Sequence, residues 1–353
     1  MKRLRVGIVG CGQIAQIMHL PFLKELPQYE IAAVCDISAK VVNTVGEWYH
    51  VAKRFTDYRE LVAQSDLDIV LVLNNDHADV VEAAADAGKN VFVEKPLCFS
   101  MPEGDRILAA ARRNRIQIMV GYMKRFDPGY QYGVEQIKGM QEVRLVRVHN
   151  LGGNFGWHPK LYTLVTADDI SEDVLKSGQE KVESSMRAAL GPAHAHLWGT
   201  YSMLLGLCSH DFAVLRGAFG APQRVLYSDA YSKSFMVSVF DYGDGMRCVF
   251  EGGLSMDLLA WDESFTAYGK NRNVNIKFPN PYVKYAPTVV TVDENLDGSA
   301  VTREIPVSYD EAFRREWQHF YDCIQEKREP LTNAADAKAD VELAIEMLKA
   351  VRV

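Results

Sequence analysis

The run Gly10-Cys11-Gly12-Gln13-Ile14-Ala15 has the spacing of a turn that can hold a pyrophosphate. In a Gly-x-Gly-x-x-Gly/Ala turn the first glycine takes the tight bend and the second opens the backbone to close approach by an anion. The small sixth residue lets the following helix lie against the strand. That helix presents unpaired N–H groups and the positive end of its dipole to the phosphates. Similar runs occur in glycine-rich turns without a ligand, so context decides. Here the apolar run Leu4–Val9 precedes the turn and an amphipathic stretch follows it, the order the motif requires. Asp36, closing the next apolar run, adds a carboxylate suited to the adenosine ribose hydroxyls and repulsive to a 2′-phosphate. The pattern therefore points to NAD rather than NADP as cofactor. Capping of a helix near Ser38 is a second role open to the same aspartate.

Other residues that could do chemistry cluster later. Trp157, His158, His194, His196, Trp198 and Tyr201 fall in a stretch, 157–199, whose texture differs from its surroundings. Aromatic rings with histidines in a loop over a cleft suit sugar faces and hydroxyls, although buried aromatics serve equally as packing. A His-x-His pair on a strand would face one way and could ligate a metal, but no third ligand has convincing spacing, so no metal is expected. The six cysteines are scattered without a Cys-x-x-Cys, and are expected as reduced thiols in a cytoplasmic protein.

These residues need elements to position them. Up to residue 122, short apolar runs at 4–9, 31–35, 68–73, 90–93 and 116–120 alternate with helix-period stretches at 13–26, 38–49, 77–87 and 102–114. That alternation predicts βαβ units and a parallel sheet. Beyond residue 122 the strands become β-branched and aromatic, at 143–151, 224–230, 235–242, 246–253, 264–268, 289–292 and 301–307. Asp241-Tyr242-Gly243-Asp244-Gly245 is a hairpin turn signal. The expectation is a Rossmann α/β domain at 1–122, followed by an α+β domain at 123–353 with a large open, mostly antiparallel sheet. An acidic helix at 168–190 stands inside the atypical stretch, read as an insertion over the cleft. Helices at 310–327 and 333–351 close the chain, the second with a stripe at Ala335, Ala339, Leu343, Ile345 and Leu348, and are expected to pack back on the first domain.

The 353 residues exceed one ordinary core and suit two. Hydrophobic residues at 48% and charged residues at 24% exclude a disordered chain. A net charge of −7 without a basic block argues against nucleic acid or an anionic membrane as partner. No apolar run is long enough for a membrane span, and the basic start Met1–Arg5 leads into a strand rather than a signal peptide.

Val93-Glu94-Lys95-Pro96-Leu97, after an Ala87-Gly88-Lys89 helix end, resembles the Gfo/Idh/MocA oxidoreductase family. The resemblance runs on through Asn75-Asp76-His77, Gly121-Tyr122-Met123-Lys124-Arg125-Phe126 and Ser209-His210-Asp211. It implies a Rossmann domain, a second domain whose open sheet forms homodimer or homotetramer contacts, and a substrate cleft between them. It implies hydride transfer between NAD and a secondary hydroxyl or ketone of a sugar, glycoside or cyclitol. By the same resemblance Lys95 stands at the nicotinamide and the substrate hydroxyl, where an ammonium would polarise a carbinol oxygen. Asn74, Asn75, His77, Glu94 and Arg125 become cofactor contacts, while Tyr122, Arg125, His158, His194, His196, Tyr201 and His210 become substrate contacts.

His210 matches the family's proton acceptor, but the aspartate usually four residues earlier is Gly206 here. Three roles stay open for His210: a base with altered support, a substrate hydrogen-bonder, or a helix residue satisfied at a domain interface. Asp211 cannot replace the missing acid, because adjacent helical residues point about 100° apart. Arg125 could bind an anionic substituent or form an interdomain salt bridge. Two rivals to a dehydrogenase follow: a redox-neutral NAD-dependent glycoside hydrolase, and a non-catalytic NAD-binding regulatory protein.

Overall fold

A computed structural model describes residues 3–352; Met1 and Lys2 of the basic start lie outside the described residues. Six strands, β1 (Leu4–Val9), β2 (Tyr29–Cys35), β3 (Lys53–Phe55), β4 (Ile69–Val72), β5 (Asn90–Glu94) and β6 (Ile118–Gly121), form a sheet in the order β3-β2-β1-β4-β5-β6. All of its pairings are parallel. Helices cover both faces of such a sheet, and every residue of β4 is accordingly buried. The short edge strand β3 has no apolar run, only half-buried Lys-Arg-Phe, and escaped the sequence pattern.

Eight more strands follow: β7 (Leu145–Gly152), β8 (Arg224–Ser232), β9 (Phe235–Gly243), β10 (Met246–Leu254), β11 (Asp262–Tyr268), β12 (Arg272–Lys277), β13 (Val289–Leu296) and β14 (Ser299–Pro306). They form one open sheet, β14-β13-β12-β11-β7-β10-β9-β8. Only the β7–β10 pairing is parallel among the described residues. The hairpin predicted at 241–245 joins β9 to β10, with Gly243, Asp244 and Gly245 all at positive φ. Strand β12, Arg-Asn-Val-Asn-Ile-Lys, was hidden because its asparagines have poor strand propensity, although Val274 and Ile276 alternate into the core.

The chain divides into two compact units. The first is assembled from 1–121, 158–185 and 316–341, the second from 122–157, 186–315 and 342–353. Of the stretch 157–199, residues 158–185 belong to the first unit, and 157 and 186–199 to the second. Its helix, Glu172–Leu190, crosses that division.

Within the first unit, buried Trp317 stacks on Phe92 with ring centroids 4.3 Å apart and accepts the Tyr29 hydroxyl on its carbonyl at 2.8 Å. Thr332 bonds Val120 through its hydroxyl at 2.7 Å and its carbonyl at 2.8 Å, extending the edge at β6. In the last helix, Ala334–Lys349, Leu343, Ile345 and Leu348 of the expected stripe are buried, together with Ala334, Ala337, Val341 and Ala344, whereas Ala335 is exposed and Ala339 half-buried. Among the described residues no helix is long and apolar enough to cross a membrane.

Candidate functional site

In the first unit the reversal of strand order falls between β1 and β4, where open parallel sheets bind ligands beyond their carboxyl ends. Gly10 follows β1 with φ +94°, and a Cβ there would meet Asn74 N and the Leu73 carbonyl carbon at 2.8 Å. Gly12 is exposed, and a Cβ there would meet nothing within 4 Å. Ala15 is fully buried beneath the turn, Gln13 is exposed, and Ile14 is half-buried. The two glycines therefore do different work: Gly10 is required by the chain's own backbone, whereas the space beside Gly12 is left to something else. Gly10→Ala is expected to cost about 2 kcal/mol or more through left-handed strain and the backbone clash. Gly12→Ala should melt like the parent yet weaken NAD binding. Thermal melts and NAD titration of both variants check this; a Gly12→Ala protein that binds NAD normally would remove Gly12 from the cradle.

Asp36 is held by two backbone donors, Cys11 N at 2.8 Å on one oxygen and Ser38 N at 2.9 Å on the other. Each carboxylate oxygen keeps acceptor capacity for a ribose hydroxyl. Cys11 itself is buried, its amide given to Asp36. Asn74, after β4, donates to the Asp76 carbonyl, and its own Oδ1 has no hydrogen-bond partner among the described residues. Neighbouring Asn75 is exposed. The open space at Gly12, the anchored Asp36 and the unmatched Asn74 acceptor together fit a dinucleotide at this edge.

His77 turns inward, its Nδ1 2.6 Å from the Pro96 carbonyl, and burial pulls its pKa below the ordinary value. The Nδ1 atom must then donate, which ties the loop after β4 to the Glu94-Lys95-Pro96 turn, whose Lys95–Pro96 bond is cis. Glu94 is buried and accepts His19 Nε2 at 2.9 Å and the Lys95 amide at 3.1 Å. Burial raises its pKa, but the hydrogen bond from His19, with the nearby Lys95, outweighs that and leaves it below the usual carboxylate value. The Trp317 indole N–H donates to His19 Nδ1 at 3.1 Å. An indole nitrogen can only donate, so the His19 proton sits on Nε2 and points at Glu94. His19, Glu94 and Glu316 bring their oxygens and nitrogen within 4.8 Å of one another. In this tautomer neither His19 nitrogen has a lone pair left for a cation. The group acts instead as a positioning chain, Trp317 to His19 to Glu94 to the Lys95 backbone, with the half-buried Lys95 side chain at its end.

In the second unit Tyr122 is fully buried and meets the half-exposed His210 ring edge-on, centroids 6.0 Å apart. Gly206 is exposed in a π-helical turn, Leu204–Cys208, just before the helix Ser209–Phe219 that carries His210. Such widened turns recur at functional sites, and another, Ala15–His19, follows the glycine turn. Arg125 is buried in this unit and donates to the Ala213 carbonyl at 3.1 Å. Tyr201 is fully buried, and in the first unit so is His158. His194 and His196 are not on a strand. They flank Ala195 in a turn and a short 3-10 helix, Ala195–Leu197, where residues two apart diverge; this removes the geometric premise of a His-x-His ligand pair.

Sequence reasoning missed a buried polar cluster in the second unit. Lys124 forms an ion pair with Glu263, both buried. Asn150 donates to Asp211 at 2.6 Å and to Glu263 at 3.3 Å, and the Trp261 indole donates to Glu263 at 3.2 Å. The two carboxyls thus share the Asn150 amide beside one ammonium, away from water. Burial first, then the Glu263 charge, pushes the Asp211 pKa well above the usual value, which favours its protonated form. The folded state prefers that protonated form; the stabilisation is complete below the unfolded pKa of about 4 and is lost as pH rises through the raised value. Asp211→Asn keeps a neutral group there, so its stability relative to the parent should improve from about pH 5 to about pH 8. Urea midpoints at both pH values test this, and a pH-independent difference would refute the protonated aspartate.

Residues 4–122 match the model of the oxidoreductase family with an NAD-binding Rossmann fold. Over 132 residues the chain is 32% identical to the uncharacterized oxidoreductase YrbE of Bacillus subtilis, covering 37% of this chain and 38% of that one. Over 131 residues it is 35% identical to an inositol 2-dehydrogenase of Salmonella typhimurium, covering 36% and 39%. The matched part is thus about two fifths of the length of these relatives. Among solved structures, the 3-ketoreductase KijD10 from Actinomadura kijaniata, in complex with NADP, superposes with a TM-score of 0.76 at 18% identity, covering 99% of this chain and 98% of that chain. An aldose-aldose oxidoreductase from Caulobacter crescentus does so with a TM-score of 0.74 at 18% identity, covering 99% and 98%. At that identity the likeness is one of fold. Residues 4–122 thus resemble the NAD-binding Rossmann domain of the Gfo/Idh/MocA oxidoreductase family.

Proposed function

We propose that this protein is an NAD-dependent oxidoreductase acting on a secondary hydroxyl or the corresponding ketone of a sugar, glycoside or cyclitol. The observation that carries this reading is the chain from Trp317 through His19 and Glu94 to the backbone of Lys95, which fixes one lysine beside a dinucleotide cradle. The names of the matched relatives, an inositol 2-dehydrogenase among them, support a polyol as substrate. When bound, the nicotinamide supplies the hydride acceptor or donor. Lys95 polarises the carbinol oxygen through its ammonium and restrains it while the proton leaves. In the second unit His210 is the further candidate for a proton acceptor, its ring met edge-on by Tyr122 where the family's usual aspartate is absent. Tyr122, His77 and Glu94 act as positioning residues.

The test is to incubate the purified protein with NAD and a panel of cyclitols, aldoses and glycosides while following nicotinamide absorbance and product together. Stoichiometric reduction with a ketone product is expected. Release of an aglycone without net reduction would replace this reading with the redox-neutral hydrolase, and NAD binding without turnover on any member would replace it with the regulatory protein.

A further inference from the structure

The segment 158–185 is fastened to the loops that the cofactor reading assigns to the dinucleotide, all within the first unit. The Gln16 side chain reads the Val165 backbone twice, donating to its carbonyl and accepting its amide, both at 2.9 Å, while also donating to the Cys11 carbonyl at 2.7 Å. Lys181 pairs with Asp76 and, at 2.8 Å, with Asp79. The Ser185 hydroxyl donates to Glu103 at 2.5 Å.

The most consequential fastening lies beside Asp36. Ser38 caps the helix Ala39–Trp48. Its hydroxyl donates to one oxygen of Asp169, and the Lys40 amide donates to the other at 2.9 Å. The Lys40 ammonium pairs with Asp168 at 2.6 Å. A hydroxyl, a first-turn helix amide and an ammonium gathered at one helix start are the donors that bind a phosphate dianion. Here they already hold two carboxylates brought from elsewhere in the chain. The Ser38 amide bonds the Asp36 carboxylate, so this occupied anion site adjoins the residue assigned to the adenosine ribose.

We infer that Asp169, assisted by Asp168, is a specificity-determining residue that fills the place of a ribose phosphate and so excludes NADP in favour of NAD. The inference rests on the cofactor reading of the glycine turn and extends it. Asp36 repels a 2′-phosphate by its own charge; Asp169 additionally occupies the hydroxyl and amide that would compensate that phosphate. Lys40, the cation at this helix start, is engaged by its pairing with Asp168.

The experiment is calorimetric titration of NAD and of NADP into the parent, Asp169→Ala, Asp169→Asn and the double variant Asp169→Ala/Lys40→Ala, with a thermal melt of each. The parent should prefer NAD. Asp169→Ala should shift the NADP-to-NAD affinity ratio toward NADP by about tenfold. Asp169→Asn, nearly isosteric and lacking only the charge, should give a smaller shift in the same direction, and serves if the alanine variant melts early. Loss of Lys40 should cancel the gain. If NAD binds all four proteins and the ratio stays at the parent value, the inference is overturned; a gain that survives loss of Lys40 overturns the assigned donor set. A parent that binds neither dinucleotide would instead overthrow the cofactor reading itself.

Discussion

Lys95→Met is expected to lower kcat/KM for the oxidised polyol by about a thousandfold, within the range found for removing a positioned acid–base group, while NAD affinity changes little. The substitution keeps most of the stem and removes only the ammonium. The backbone at this position is fixed independently, because the Lys95 amide bonds Glu94 whatever side chain follows. The fall should therefore appear mainly in kcat. Lys95→Arg should not restore it, since a planar guanidinium is too broad to mimic a compact ammonium. A variant that raises KM with kcat unchanged would mean that Lys95 binds substrate without taking part in the reaction.

Lys124→Met should destabilise the protein by about 3–5 kcal/mol, the cost of leaving a buried carboxylate without its counter-charge. Lys124 is 3% exposed and Glu263 fully buried, so no solvent rearrangement compensates. The methionine fits the space beside Phe278, whose ring centroid is 5.0 Å from the ammonium, and the loss is therefore of charge more than of packing. The double variant Lys124→Met/Glu263→Gln should recover a substantial part, because it removes the orphaned charge as well. Denaturant unfolding of the single and double variants measures the coupling. A Lys124→Met protein within about 1 kcal/mol of the parent would show that the pair carries no more weight than a surface salt bridge.

The strands legible in the sequence are those that must be buried on both faces. β1 matches the run 4–9 at both ends, and β4 and β5 lie within a residue of their expected places, because a central parallel strand has to be a continuous apolar run. β3 has no such obligation at a sheet edge. The glycine turn was readable because its chemistry is local, a few backbone positions in sequence. The Lys124 cluster was not, since Glu263 lies 139 residues away and only the sheet register brings it together with Asn150. His19 had one faint signal, a polar residue amid Ile17, Met18 and Leu20 on a buried helix, but its partner Trp317 lies 298 residues onward. The π-helical turns leave no periodic mark, and His194 and His196 lie in a turn and a short 3-10 helix rather than on a strand.

The interleaving of the two units also sets an order of events during synthesis. The first unit takes residues from 158–185 and 316–341 as well as from the N-terminal stretch. While the ribosome is still translating the second sheet, Phe92 has no Trp317 to stack on and the Tyr29 hydroxyl has no carbonyl to meet. The nascent Rossmann sheet must therefore wait with an unfinished core until nearly the whole chain has emerged. Closure then depends on contacts of very high sequence separation, the kind that slow folding and leave apolar surface open to chaperones. A fragment ending at residue 122, although it contains the whole family match, would keep that unfinished core permanently.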